Sequence, residues 1–292
     1  MNLTNYMKER IATFNEKLLA YLNPLSIPPL LKQSMIYSIE AGGKRIRPIL
    51  VMASFESFQK DFEKTIATAA ALEMIHTYSL IHDDLPAMDD DDYRRGKLTN
   101  HKMFDEATAI LAGDALLTYA FELISKDSNL SSEEKVYTIN KLARASGPEG
   151  MIAGQVLDIA AEEKRISLKE LIEIHSKKTG ALITFSVHIG AYLAGASEEQ
   201  LKYLDEYSYN LGLLFQVQDD ILDVIGDAEK LGKPVGSDLD NEKSTYPSIL
   251  GLEKAISYRD EYAKNALLAL KDAGINNSYL KALVEYIAHR EH

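Results

Sequence analysis

The chain has 292 residues, of which 46% are hydrophobic and 26% are charged, a balance typical of a folded globular protein. Its formal net charge of −12 argues against non-specific nucleic-acid binding as the main activity. The absence of cysteine excludes disulfides, thiol catalysis and cysteine-ligated metals, and it fits a reducing cytoplasm. Residues 1–14 lack the hydrophobic core of a signal peptide, and no stretch predicts insertion into a membrane.

Apolar residues recur at three- and four-residue spacing along almost the whole chain, whereas alternating β-branched runs are lacking. This pattern predicts an all-α fold. Stop signals such as Asn23-Pro24, Gly42-Gly43 and Leu85-Pro86 separate the helices, but no Pro/Gly/Ser-rich linker divides the chain, so we expect one helical domain over residues 1–292. In chain order the predicted helices cover 3–22, 28–41, 46–59, 62–85, 104–126, 131–146, 148–163, 168–195, 197–225, 255–273 and 277–290.

The first aspartate cluster consists of Asp83, Asp84 and Asp89. Its aspartate pair follows the apolar run 72–81, and Pro86 disfavours helical geometry at Leu85, so the pair lies at the end of a helix. Asp89 belongs to the following loop, which can fold back toward the same ion.

The second aspartate cluster consists of Asp219, Asp220 and Asp223, after the apolar run 211–217. Asp219 and Asp223 are four residues apart and therefore share one helix face.

Carboxylates near the negative end of a helix dipole repel one another and are stabilised by cations. Their oxygen atoms suit Mg²⁺, which takes one or two carboxylates and completes its shell with water and substrate phosphates. A solvated acidic surface is the simpler interpretation for Asp90, Asp91 and Asp92, but it fits the two clusters poorly because their helices are apolar. The sequence therefore predicts metal ions that bridge the protein and a phosphorylated substrate.

Basic residues supply complementary charge. A glycine turn at 42–43 precedes Lys44 and Arg47 at the start of a helix, a position that favours anions, although its spacing is not that of a Walker P-loop. His76 lies two helical turns before Asp83 on the same face. A helical histidine is often a core residue, but this alignment favours contact with phosphate. Further candidate phosphate ligands are Arg94, Arg95, Lys178 and Lys233.

Together these motifs resemble those of the short-chain trans-prenyltransferases, the polyprenyl synthase family, and specifically its bacterial-type farnesyl diphosphate synthases. The resemblance spans residues 42–290 and keeps the order of the motifs. They are Gly-Gly-Lys-Arg-Ile-Arg-Pro (42–48), Asp-Asp-Leu-Pro-Ala-Met-Asp (83–89), Arg-Arg-Gly (94–96), Gly-Gln-Val-Leu-Asp (154–158), Lys-Thr-Gly (178–180), Phe-Gln-Val-Gln-Asp-Asp-Ile-Leu-Asp (215–223) and Gly-Lys-Pro (232–234).

The resemblance implies an isoprenoid-synthase-type bundle of about ten helices around a central cavity, usually as a homodimer. It also implies Mg²⁺-dependent condensation of isopentenyl diphosphate with dimethylallyl or geranyl diphosphate to give (2E,6E)-farnesyl diphosphate. Three Mg²⁺ ions would hold the allylic diphosphate between the two clusters, and the released diphosphate would accept the proton. The implied metal ligands are Asp83, Asp84, Asp89, Asp219, Asp220 and Asp223.

The same resemblance assigns the remaining site residues by role. The allylic diphosphate would be bound by Arg94, Lys178 and Lys233. Isopentenyl diphosphate would be bound by Lys44, Arg47, His76 and Arg95. Thr179 and Gln216 would sit beside the forming allylic cation, and with Lys178 they are the expected catalytic residues.

Product length depends on what blocks the growing chain. Tyr78 lies five residues before Asp83, about 7.5 Å back along the helix, and the resemblance implies an aromatic floor at this position. The neighbouring Ser79 is too small to block the chain. The simpler interpretation of Tyr78 is a core aromatic whose hydroxyl is hydrogen-bonded. A fifteen-carbon product is favoured, and a twenty-carbon product, as made by a geranylgeranyl diphosphate synthase, is the alternative.

Three other functions remain open. A terpene cyclase shares the first acidic helix but normally lacks the basic glycine turn. A metal-dependent phosphohydrolase is suggested only by the pair His82-Asp83. A non-catalytic prenyltransferase subunit would tend to lose the aspartate clusters that this chain retains. The sequence leaves the role of Arg290, near the C-terminus, undetermined.

Overall fold

A computed structural model describes residues 3–162, 164–225, 244–276 and 278–290. The predicted phosphate ligand Lys233 lies outside these residues, so its role stays a prediction. The described chain is almost entirely helical, which confirms the all-α prediction. Its α-helices are α1 (Leu3–Leu22), α2 (Pro29–Glu40), α3 (Ile46–Phe55), α4 (Ile66–Asp83), α5 (Asn100–Met103), α6 (Glu106–Lys126), α7 (Ser132–Ser146), α8 (Met151–Ala161), α9 (Leu168–His175), α10 (Ala181–Leu193), α11 (Glu198–Ile225), α12 (Tyr246–Leu250), α13 (Leu252–Asp272) and α14 (Ser278–His289).

Three shorter elements complete the described chain. A 3₁₀ turn (Phe62–Thr65) precedes α4, and a π-helical segment (Ser176–Gly180) connects α9 to α10. Strands β1 (Tyr93–Arg94) and β2 (Lys97–Leu98) form an antiparallel hairpin in which Arg94 lies opposite Lys97.

The described residues form two compact units. The N-terminal unit comprises residues 3–52 and 61–140. The C-terminal unit comprises residues 53–60 and the described residues from 141 onwards.

Helix α4 is the core of the N-terminal unit. Its residues from Ile66 to Ile75 are all buried, and it packs against α6, α1 and α2. The guanidinium of Arg45 forms a buried ion pair with Glu73 of α4 at 2.6 Å. Among the described residues, α6 alone is long and apolar enough to cross a membrane by length and composition. It packs against α4 and α2, and 44% of its apolar window is buried.

Helix α11 organises the C-terminal unit and packs along α10, α13 and α14. The π-helical segment lies against α8 at very short range. A Cβ atom on Gly154 would lie 2.1 Å from the backbone nitrogen of Lys178, so this approach requires glycine. The two aspartate clusters lie in different units, the first in the N-terminal unit and the second in the C-terminal unit.

Several predicted boundaries were wrong. The helix predicted over 168–195 is interrupted by the π-helical segment, because apolar periodicity does not distinguish α from π hydrogen bonding. The predicted helices 46–59 and 148–163 are shorter, at Ile46–Phe55 and Met151–Ala161. The last long helix begins at Leu252 and not at 255, and α12 before it was missed, although Thr245 and Ser248 form a capping box there. The hairpin was missed because two-residue strands leave no alternating pattern.

Candidate functional site

The first aspartate cluster is built at the C-terminal end of α4. Asp83 is the last residue of the helix and Asp84 is its cap. The loop folds back as expected, because the Asp89 N–H donates to the Asp83 carbonyl oxygen at 2.8 Å. The Asp89 side chain is exposed, whereas Asp84 is only 3% exposed. A buried carboxylate at the negative end of a helix dipole is stabilised by a nearby cation.

Arg94 provides that cation in this structure. Its Nε and Nη2 atoms lie 2.6 and 2.5 Å from the same Oδ1 atom of Asp84. Nη2 also lies 3.2 Å from Oδ2 of the exposed Asp91. Burial raises the pKa of Asp84, and the hydrogen bond and charge of Arg94 oppose that rise. A predicted metal ligand and a predicted diphosphate ligand are therefore in direct contact.

The basic turn, residues 42–47, leads into α3. It contains Arg45, which has a structural role, and the two candidate phosphate ligands Lys44 and Arg47. Arg45 is buried, and besides Glu73 it binds the Asn15 side chain at 3.0 Å. The half-buried Arg47 has a buried Nε with no hydrogen-bond partner among the described residues. Burial lowers the pKa of Arg47 to about 10, so it stays charged at neutral pH. Lys44 is half-exposed.

His76 lies in the electrostatic field of the same cations. Burial, followed by the charges of Arg47 and Arg95, lowers the pKa of His76 well below its ordinary value. The imidazole is therefore neutral at physiological pH, and the cations repel one another. This repulsion would be relieved by a bound anion, which fits the predicted phosphate site.

Arg95 contacts the glycine turn directly. Its Nη1 donates to the Gly42 carbonyl oxygen, and its guanidinium lies so close to Gly43 that a Cβ there would be 2.5 Å from Nη1. Gly43 also has a φ of +125°, a conformation that favours glycine. The structure thus brings Arg95 to the turn that carries Lys44 and Arg47.

Tyr78 differs from an ordinary core tyrosine. It is 5% exposed, and its hydroxyl is buried with no hydrogen-bond partner among the described residues. Burial, with a further contribution from the charge of Asp83, raises its pKa to about 12. The structure thus agrees with the interpretation of Tyr78 as a core aromatic, whereas the expected hydrogen bond of its hydroxyl is not found among the described residues. Its neighbour Ser79 donates to the His76 carbonyl oxygen at 2.9 Å.

His82, which suggested a phosphohydrolase, has a local structural contact. Its Nε2 lies 3.1 Å from the Ile110 carbonyl oxygen, and its ring packs edge-on against Tyr78. A Cβ on Gly113 would lie 2.2 Å from Nε2, so the imidazole is fitted closely to α6.

The second aspartate cluster lies near the end of α11, and its first member contacts Arg290. Asp219 accepts a hydrogen bond from Nη2 of Arg290. The same atom donates to the Phe215 carbonyl oxygen at 3.2 Å, and the guanidinium lies 4.2 Å from the centre of the Phe215 ring. Gln218 donates to the Arg290 carbonyl oxygen at 3.0 Å. Arg290, whose role the sequence left undetermined, is thus a buried partner of this cluster.

The other two carboxylates of the cluster are buried. Asp220 is 6% exposed and Asp223 is 2% exposed. Oδ2 of Asp220 accepts the Tyr246 N–H at 2.8 Å, where α12 begins. This hydrogen bond attaches Asp220 to the backbone at the start of α12.

Lys178 forms an ion pair that was not foreseen. Its Nζ lies 2.5 Å from Oδ2 of Asp158, the last residue of the Gly-Gln-Val-Leu-Asp motif. The motif carried the resemblance, but no role was assigned to its aspartate. That motif, and the carboxylate at its end, was the signal that could have identified Asp158.

A cavity of about 150 Å³ adjoins this pair, and Gln216 and Asp220 also line it. His175 contributes a buried Nδ1 atom with no hydrogen-bond partner among the described residues. Burial lowers the pKa of His175 to about 4, while Asp158 opposes and Lys178 adds to the shift. The cavity therefore combines three carboxylates, since Glu162 also lines it, with one cation and a neutral imidazole.

The two predicted cation-stabilising residues are brought together although they lie far apart in sequence. Thr179, in the π-helical segment, donates its hydroxyl hydrogen bond to Oε1 of Gln216 on α11. Both are polar side chains of the C-terminal unit with restricted exposure. Single-turn π-helices are frequent at functional sites.

The candidate metal ligands are oxygen donors only, and three of them are nearly inaccessible to water. This donor set fits a hard cation such as Mg²⁺. In the described part of the chain, no group of three or more histidine or carboxylate side chains is already gathered around one point.

Comparisons with known proteins agree over nearly the whole chain. A family model described as polyprenyl synthetase matches residues 28–286. The farnesyl diphosphate synthase of Bacillus subtilis (strain 168) is 48% identical over 99% of both chains. The geranylgeranyl diphosphate synthase of Cyanophora paradoxa is 45% identical, covering 99% of this chain and 97% of its own. The crystal structure of an FPP/GFPP synthase from Zymomonas mobilis superposes with a TM-score of 0.84 at 35% identity, over 99% of each chain.

Proposed function

The chain belongs to the polyprenyl synthetase family, and we propose that it condenses isopentenyl diphosphate with dimethylallyl or geranyl diphosphate. The product is (2E,6E)-farnesyl diphosphate, released together with diphosphate. The observation that carries this conclusion is the near-half identity, over the full chain, with farnesyl diphosphate synthases from several bacteria. The enzyme is a prenyltransferase. A twenty-carbon product is the second candidate, because a geranylgeranyl diphosphate synthase is similar at nearly the same identity.

Magnesium is the cofactor that the carboxylates fit, and we expect three ions per active site. Asp83, Asp84 and Asp89 would hold metal in the N-terminal unit. Asp219, Asp220 and Asp223 would do so in the C-terminal unit. When bound, Mg²⁺ neutralises the charge that grows on the departing diphosphate. The donor set supports this assignment because all six side chains offer carboxylate oxygens, the ligands that Mg²⁺ prefers.

The basic residues bind the two diphosphates. Arg94 and Lys178 would hold the allylic diphosphate, with Lys233 as a third ligand. Each of the first two is paired with a carboxylate in this structure, Arg94 with Asp84 and Lys178 with Asp158. Such a pair keeps the cation oriented, and its exchange for a phosphate oxygen conserves a charge-assisted hydrogen bond.

Isopentenyl diphosphate would be held by Lys44, Arg47, His76 and Arg95. These residues belong to the N-terminal unit and share one electrostatic environment, because Arg47 and Arg95 both lower the pKa of His76. A neutral imidazole can donate one N–H to a phosphate oxygen without adding to the repulsion among the cations.

Ionisation of the allylic substrate leaves a carbocation, which Thr179 and Gln216 would stabilise with their oxygen dipoles. Their mutual hydrogen bond fixes both side chains before substrate arrives. The double bond of isopentenyl diphosphate attacks the cation, and the released diphosphate accepts the proton that is lost. Exclusion of water protects the cation during these steps.

We also propose that the enzyme is a cytoplasmic homodimer that binds no nucleic acid and is not inserted into a membrane. An apolar stripe on α8 supports association, because Ile152, Val156 and Ile159 are at least 41% exposed and follow one helix face. Light scattering after size-exclusion chromatography tests the dimer. A monomeric mass at micromolar concentration would contradict it.

The decisive assay combines the purified protein with Mg²⁺, isopentenyl diphosphate and either dimethylallyl or geranyl diphosphate, and it sizes the products. A fifteen-carbon diphosphate is expected, and omission of Mg²⁺ should abolish it. Release of diphosphate without incorporation of isopentenyl units would favour a cyclase or a phosphohydrolase. Complete inactivity of the folded protein would favour a non-catalytic subunit.

Tyr78 is proposed as the floor that stops chain growth. Replacing it with alanine removes a ring that is 5% exposed and should shift the products from fifteen toward twenty carbons. Tyr78→Phe is the matched control, since it keeps the ring and removes only the unpartnered hydroxyl, and it should leave product length unchanged. An unaltered product spectrum in Tyr78→Ala would refute the floor role.

A further inference from the structure

Arg94 and Arg95 lie on a short β-hairpin that would not be stable in isolation. The arginine hairpin, residues 93–98, has two strands of only two residues each. Most of its residues are exposed. An isolated two-stranded hairpin of this length is not stable in water. The positions of its arginines must therefore be fixed by contacts with other elements.

Helix α2 and the glycine turn that follows it supply these contacts. The Tyr37 hydroxyl donates to the Leu98 carbonyl oxygen at 2.8 Å. Lys97 Nζ donates to the Glu40 carbonyl oxygen at 3.2 Å. Arg95 itself donates to the carbonyl oxygen of Gly42. The hairpin is thus attached along the last turn of α2 and the residues just beyond it.

A buried asparagine provides a second attachment just after the hairpin. Asn100 is 2% exposed, and its Nδ2 donates to the Ser34 carbonyl oxygen at 3.0 Å and to Ser38 Oγ at 2.8 Å. Its Oδ1 accepts from Ser34 Oγ at 2.7 Å. Between them, Thr99 closes the hairpin by donating its N–H to the Asp92 carbonyl oxygen at 3.0 Å. Buried amide networks that are this well satisfied fix position strongly.

The same helix leads directly into the basic turn. Only three residues separate Glu40, the last residue of α2, from Lys44. The cations proposed for isopentenyl diphosphate therefore project from two segments, the basic turn and the hairpin, and both segments are attached to the end of α2. Helix α2 therefore connects the two segments and contributes to their spacing.

We propose that α2 is the positioning frame of the isopentenyl diphosphate subsite, with Tyr37 and Asn100 as positioning residues. Neither residue touches the substrate. They act by holding Arg95 at a fixed distance from Lys44 and Arg47, so that the three cations fit one diphosphate. This inference rests on the proposed function, which assigns those cations to isopentenyl diphosphate.

Tyr37→Phe is the direct test, because it removes one hydrogen bond and keeps the ring. It should raise KM for isopentenyl diphosphate about three- to tenfold, the scale of one lost hydrogen bond. KM for geranyl diphosphate and kcat should change by less than about twofold. Calorimetric titration with isopentenyl diphosphate should show the same loss of affinity. Asn100→Ala should act in the same direction and more strongly, provided that circular dichroism shows it folded.

Tyr119→Phe is the matched control. The Tyr119 hydroxyl donates to the Tyr21 carbonyl oxygen at 2.9 Å, in the same unit but away from the hairpin. It should cost similar thermal stability and leave KM for isopentenyl diphosphate unchanged. Equal effects of Tyr37→Phe and Tyr119→Phe on KM for isopentenyl diphosphate would refute the positioning role of Tyr37 and α2.

Arg95→Gln separates this inference from the function on which it rests. If Arg95→Gln leaves KM for isopentenyl diphosphate unchanged, the proposed assignment of Arg95 fails. If Arg95→Gln raises this KM, the frame predicts that adding Tyr37→Phe raises it little further, because the residue being positioned is gone. Fully additive effects in the double variant would show that Tyr37 does not act through Arg95.

Discussion

The two aspartate clusters are built differently. In the first, the buried Asp84 is paired with Arg94, ten residues further along the chain. In the second, Asp219 is paired with Arg290, 71 residues away, and Asp220 accepts from Tyr246, 26 residues away. The first cluster is thus a local construction of one helix end, a loop and a hairpin. The second depends on segments that come from the C-terminal part of the chain.

The two clusters therefore differ in what their buried carboxylates contact. Asp84 contacts a side-chain cation that is a candidate substrate ligand, so its partner can be exchanged during the reaction. Asp220 contacts a backbone N–H, and that group is at the start of a helix whose tyrosine is fully buried. Substitutions in the first cluster should therefore affect mainly catalysis. Substitutions in the second should separate into catalytic and structural effects.

The largest effect is expected from Asp84→Asn. It removes the buried charge that would hold metal, and kcat should fall about 10²- to 10³-fold, the scale of losing one preorganised charged group. Asp91→Asn is the matched control because Asp91 also contacts Arg94, at 3.2 Å, but is exposed. It should retain activity within about threefold. Equal losses in the two variants, measured as kcat with saturating substrates, would contradict the special role of Asp84.

The second cluster should give two distinct phenotypes. Asp220→Ala leaves the buried Tyr246 N–H without its acceptor, which should lower the free energy of unfolding by about 1–3 kcal/mol in urea titrations. Asp220→Asn keeps an acceptor oxygen and should lose less stability.

Asp219→Asn should reduce kcat with a smaller effect on unfolding, because its side chain is 41% exposed. If Asp219→Asn is instead the less stable protein, the division of roles within the cluster is wrong.

The sequence predicted most of the fold because helical periodicity is a local property. It also located Asp83, Asp84 and the returning loop at Asp89, since the helix end is determined by nearby Pro86. The ion pairs Lys178–Asp158 and Arg290–Asp219 could not be predicted in this way. Each joins side chains from segments that are far apart in sequence, and such contacts follow from packing and not from spacing along one helix.

The backbone details that were missed have a similar cause. The π-helical segment lies between two apolar helices, so the pattern around it predicts one continuous helix, and the arginine hairpin derives its stability from α2. Thr179 and Gln216, 37 residues apart, were paired only through resemblance to a known family, and their hydrogen bond is now visible. Local chemistry therefore identified the reactive groups, while packing determines their partners.

The smallest expected effect is on stability at acid pH. It follows from a comparison of two buried histidines, His76 in the N-terminal unit and His175 in the C-terminal unit. Burial lowers the pKa of both His76 and His175, but neighbouring cations dominate the remaining shift at His76, whereas Asp158 partly offsets it at His175. The pKa of His175 is about 4 in the folded protein and about 6.5 in an unfolded chain. The unfolded chain therefore binds the proton more readily, and stability falls as pH drops from about 6.5 to 4.

His175→Gln should remove this part of the acid dependence. At pH 4.5 the difference is on the order of 1–2 kcal/mol, allowing for the partial exposure of the ring. The melting temperature of the variant should consequently fall less between pH 7 and pH 4.5 than that of the unsubstituted protein. If the melting temperatures of His175→Gln and the unsubstituted protein fall equally between pH 7 and pH 4.5, protonation of His175 does not drive acid unfolding. In that case Asp158 compensates the charge of the protonated imidazole fully in the folded state.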